Sequence, residues 1–115
     1  MSAFDVYTSN DPIRRILEAG KPLADYGSNN WAFKRADALV AIAAIERESR
    51  VILGGDVWLA SNGAFSITGD SWHIDPSPHE SHSANVRNGA AKARAFVMAY
   101  PDRGDGVPYF ELVVD

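Results

Sequence analysis

The side chains best suited to chemistry cluster in one stretch, where His73, Asp75, His79 and His82 follow one another closely. Imidazole and carboxylate are the ligand types that zinc and similar ions take. On a strand His73 and Asp75 share a face, but His79 and His82 follow Pro76 and Pro78 and must fold back to complete a ligand set. That spacing fits solvated loop histidines better than a metal site. Ser71, His73 and Asp75 have the residue types of a nucleophile, base and acid. Their i, i+2, i+4 placement points all three the same way without the contact a base needs, so a His/Asp-dependent hydrolase is the least supported reading. The chain has no Gly-x-Ser-x-Gly, no phosphate loop ending in Gly-Lys-Ser/Thr and no Gly-x-Gly-x-x-Gly after a strand. It also has no Cys, hence no thiolate nucleophile and no disulfide framework. No catalytic residue, metal or cofactor is expected, and the protein is read as not an enzyme.

Charge gives a second pattern. Between Arg50 and Arg87 there is no Lys or Arg, while Asp56, Asp70, Asp75 and Glu80 fall in that gap with all the His residues, Trp58 and Trp72. The net charge of -4 argues against affinity for nucleic acid, which comes from neutralising phosphates. An acidic stretch with interleaved Trp fits a protein–protein interface instead. The four acids would form its rim, and an exposed Trp58 or Trp72 its anchor. The plain alternative is a solvated acidic face, with the true contacts on the third helix or in loops.

These residues need a scaffold. The 115 residues are too few for two ordinary cores, so residues 1–115 read as one domain. Asn10-Asp11-Pro12 signals a helix start that runs to Gly20. After a Gly- and Asn-rich connection, Trp31 and Phe33 lead into a second helix, with Ala36, Leu39, Val40 and Ala43 at its spacing. Val51-Ile52-Leu53 reads as a short strand bounded by Gly54-Gly55, whose freedom allows a turn or a bulge before Asp56. Residues 56–60 and 64–68 flank Ser61-Asn62-Gly63, a hairpin signal, and residues 71–75 add a further strand. Val86, Ala90, Ala93, Val97 and Tyr100 form the narrow stripe of a third helix. Tyr109 to Val114 is a final strand with an apolar side on Phe110, Leu112 and Val114. The expected fold is α+β: a mainly antiparallel sheet of four to five strands, one layer deep, covered by three helices.

Ile16-Leu17-Glu18-Ala19-Gly20, Asn30-Trp31-Ala32, Val51 to Val57 through Leu53-Gly54-Gly55-Asp56, and Asp70-Ser71-Trp72 appear in this order. Together they resemble the immunity protein 40 family of bacterial polymorphic toxin systems. The resemblance implies a cytoplasmic protein, encoded beside a secreted toxin, that binds its cognate toxin and blocks it. No cofactor, no nucleic acid and no membrane partner is expected, and the chain is expected to be a monomer or weak homodimer. The candidate contacts remain Asp56, Trp58, Asp70, Trp72, Asp75 and Glu80. An adaptor or binding module for an unrelated partner is the alternative.

Overall fold

The computed structural model describes residues 10–115. Helix α1, Pro12–Leu17, follows an extended Asp11 whose Oδ1 accepts the Ile13 amide at 2.9 Å. A short acceptor before Pro at the first turn fits a helix N-terminus, where Pro has no amide to leave unpaired. The connection is more structured than its composition suggests: strand β1, Lys21–Pro22, and a 3₁₀ turn, Ala24–Tyr26, lie within it. Trp31 and Phe33 belong to strand β2, Trp31–Lys34, which passes directly into helix α2, Arg35–Arg47. Strands β3, Ile52–Ser61, and β4, Ala64–His73, form the expected hairpin. Its turn is Asn62-Gly63, both with positive φ, as a turn that matches strand twist requires. Helix α3, His82–Ala99, and strand β5, Val107–Val114, complete the described chain.

The strands form one antiparallel sheet in the order β1-β2-β5-β3-β4. The last strand in sequence therefore lies in the middle, and all three helices pack on one face. There Phe33, Ile52, Val57, Phe110, Leu112 and Val114 meet Ile13 and Leu17 of α1, the buried stripe of α2, and Ala90, Ala93 and Val97 of α3. The α+β expectation, with three helices on a single-layer sheet, is met. The α3 stripe is buried as expected, and its small residues have a use. A Cβ added at Gly89 would stand 2.9 Å from the Ile52 carbonyl, so α3 lies almost on the backbone of β3.

Three local expectations require correction. The buried stripe of α2 is Ala38, Ala41, Ile42 and Ile45, whereas Ala36 and Val40 face outward. The helix is so rich in small apolar residues that the three-to-four spacing fixes its period but not its phase. Leu53-Gly54-Gly55-Asp56 is not a turn joining two strands either. Strand β3 runs straight through it, with a register shift against β5 between Ile52 and Gly54 and a φ of +142° at Gly54. The bulge among the two earlier alternatives is what forms. Likewise, residues 71–75 are no separate strand: β4 continues past Thr68-Gly69-Asp70, which bulges opposite Val57 and is held by Thr68 Oγ1 donating to the Val57 carbonyl at 3.0 Å.

Candidate functional site

Because facing residues of paired strands share a side of the sheet, the register maps the face away from the helices. One row crosses it as Ser71, Asp56, Glu111, Ala32 and Lys21, and the next as Ile67, Trp58, Tyr109 and Lys34. Phe65, Ala60 and Val107 make a third row, and His73, Gly54 and Val113 a fourth. Among the described residues no α-helix covers this side. The segment around Leu23, Tyr26 and Ser28 folds across part of it, and it is pinned there by a small apolar cluster of Leu23, Ala32 and Trp58 with Phe65 and Tyr109 packed against them.

Under that segment the face is aromatic. Trp58 and Phe65 stack with ring centroids 5.4 Å apart, Tyr109 meets Phe65 edge-on at 5.3 Å, and Tyr26 approaches both Trp58 and Phe65. Lys21 Nζ stands over the Phe65 ring at 5.0 Å. In the middle lies Glu111, 7 % exposed, accepting the Trp58 indole N–H at 2.9 Å and the Ser28 hydroxyl at 3.0 Å. These two donors compensate a carboxylate that burial would otherwise penalise.

Beyond the segment the face opens. Leu53, Gly54, Gly55, Asp56, Ser71, Trp72, His73 and Val113 line a shallow cleft of about 320 Å³. Asp56 is half-buried there, beside Ser71 and opposite Glu111, and His73 Nε2 lies 2.7 Å from Asp75 Oδ1. His73 and Asp75 thus do touch, contrary to the expectation from strand spacing, because β4 ends at His73 and frees Asp75 to turn back. His82 sits elsewhere, its Nε2 2.7 Å from the Ser49 carbonyl. Among the described residues no three His, Cys, Asp or Glu side chains come together as metal ligands would.

The structure divides the six candidate residues. Asp56 reaches the open face, and Asp75 joins it through His73. Asp70 lies on the helix side, where its Oδ2 accepts the Tyr100 hydroxyl at 2.6 Å and pairs with Arg103. The acidic stretch is therefore partly compensated by a cation that is remote in sequence. Trp58 is not an exposed anchor: it is 5 % exposed and belongs to the sheet. Trp72 is half-buried on the helix side, stacked on Phe96 at 4.5 Å. Glu80 is exposed in the connection before α3, its amide donating to the Ser77 carbonyl at 3.3 Å. Sequence reasoning missed Glu111, Phe65 and Tyr109. The signal for Glu111 was present, since an acid inside Tyr109-Phe110-Glu111-Leu112-Val113 interrupts an otherwise apolar central strand.

The architecture defines a class: a single antiparallel sheet backed by helices on one side, with an open side of aromatic and acidic residues. A family model for immunity protein 40 matches residues 22–114, and the chain belongs to that family. No curated protein and no solved structure matches the chain significantly. Among the described residues no helix is long and apolar enough to cross a membrane.

Proposed function

We propose that this protein is the immunity partner of a secreted bacterial toxin, acting in the cytoplasm as a single domain that binds its cognate toxin stoichiometrically rather than as an enzyme. The family match over residues 22–114 carries the proposal. The side of the sheet left open by the helices supports a location, because half of a protein's apolar sheet surface is uncovered only where something else makes use of it or polar residues protect it. Here Asp56 and Asp75 contribute negative charge beside exposed Val113 and Ile67, which fits a basic toxin surface by complementary potential and steered association. Asp70 and Trp58 have intramolecular roles and drop from the proposed contacts.

The test is co-expression with the toxin encoded beside it. Growth should be rescued and the two proteins should co-purify. Continued toxicity with a well-folded, abundant partner would remove the reading.

A further inference from the structure

The two edges of the sheet are built differently. Strand β1 has only Lys21 and Pro22, and short length, a Lys and a Pro are the features that keep an edge from pairing with another chain. Strand β4 at the opposite edge has ten residues and no Lys, Arg or Pro. From Ala64 to Gly69 it carries no charge at all, in a chain whose net charge is -4. Its bulge at residues 68–70 protects the far half, but residues 64–67 stay regular.

The hairpin fixes which backbone groups of that half are free. A two-residue turn makes Ser61 and Ala64 the first hydrogen-bonded pair, and antiparallel pairs alternate. Ser66 therefore bonds inward to Leu59, whereas Phe65 and Ile67 direct their N–H and C=O groups away from β3. Two outward residues flanking a single inward one form a self-complementary unit. With a two-fold axis at Ser66, Phe65 of one copy exchanges both backbone bonds with Ile67 of the other, and the reverse. On the open face Ile67, 53 % exposed, then lies against the Phe65 ring of the second copy. Ser66 and Ile67 are both exposed, so among the described residues no helix covers this part of the edge on either side.

We propose that β4 pairs antiparallel with β4 of a second copy, centred on Ser66, so that two five-stranded sheets become one with an uninterrupted open face. The occupant is a second copy rather than a toxin strand for two reasons. The free backbone groups match their own two-fold image, and the uncharged strip is the part of an acidic chain that does not repel itself. Pairing through so short a stretch makes a weak, concentration-dependent dimer.

The test is independent of any toxin. Light scattering and amide hydrogen exchange would be followed on the purified chain from about 10 μM to about 1 mM, a range that brackets weak association. The mass should rise toward twice the monomer, with the Phe65 and Ile67 amides gaining at least tenfold protection as it does. Ile67→Lys should abolish both effects while its far-ultraviolet circular dichroism stays native, whereas Val107→Lys, on the same face but away from the edge, should still dimerise. A monomer mass throughout overturns the proposal, as does a dimer that Ile67→Lys leaves intact or that forms without protecting Phe65 and Ile67. If the wild-type chain stays monomeric and those amides become protected only when a toxin is added, the edge serves the partner and the proposal is likewise overturned.

Discussion

The indole N–H of Trp58 donates to Glu111 Oε1 at 2.9 Å, across neighbouring strands and on the side of the sheet that the helices do not cover. This bond shows how the open face is kept ordered without a helical layer. Glu111 also takes the Ser28 hydroxyl at 3.0 Å, so one buried carboxylate ties the 23–28 segment to β3 and β5.

Replacing Glu111 by Leu should therefore cost about 1–3 kcal/mol in chemical denaturation, because the Trp58 N–H loses its acceptor while still buried. Glu111→Gln, which keeps a carbonyl acceptor, should cost less. Equal costs for the two variants would show that the hydrogen bond contributes nothing beyond side-chain volume.

Gly55 lies where backbone and ring leave no room. A Cβ there would stand 1.9 Å from the Glu111 carbonyl oxygen and 2.3 Å from the Trp72 ring. Gly55→Ala should destabilise by about 3 kcal/mol or more, the upper end of overpacking, since a paired central strand cannot yield. At Gly27, with φ +87° and nothing within 4 Å, the same change should cost only backbone strain, about 1 kcal/mol. Thermal or urea unfolding of the two variants makes the comparison.

Acid sensitivity is predicted at the start of α1. Burial tends to raise the Asp11 carboxyl, but the Ile13 amide and the Arg50 guanidinium outweigh it and hold the group below its ordinary value. A depressed carboxylate adds stability that is fully present above the unfolded value of about 3.9 and is lost as pH falls through the folded one. Asp11→Asn should flatten the loss of stability below about pH 5 relative to wild type, as measured by urea midpoints across pH. Parallel curves would contradict the assignment.

Charge substitutions separate the two sides of the sheet. Under the proposed docking, Asp56→Lys weakens toxin binding at least tenfold, about 1.4 kcal/mol, with reduced salt dependence. Asp70→Asn, which loosens only the contact with Tyr100 and Arg103, changes it by no more than about twofold. Calorimetry in low and moderate salt distinguishes them, and the reverse ranking would move the interface to the helix side.

The architecture was legible wherever one residue type has one use. Asp11-Pro12 marked a helix start, Asn62-Gly63 a hairpin, and the stripe from Val86 to Tyr100 the buried side of α3. What escaped notice depends on partners distant in sequence. Whether Gly54-Gly55 turns or bulges is decided by β5 lying against β3, with Val113 and Leu112 facing the glycines. Whether Asp70 is a free acid is decided by Arg103 in the connection after α3, and whether Trp58 is an anchor by Glu111 in the last strand. Local pattern counts the acids and aromatics but cannot say which of them the fold has already satisfied.

The central claim is neutralisation by one-to-one binding. It is tested most directly by titrating a fixed amount of the purified cognate toxin with this protein and reading residual toxin activity. Residual activity should fall linearly and reach zero when the two are equimolar. Full activity in the presence of excess protein, or inactivation by far less than an equimolar amount, would contradict it.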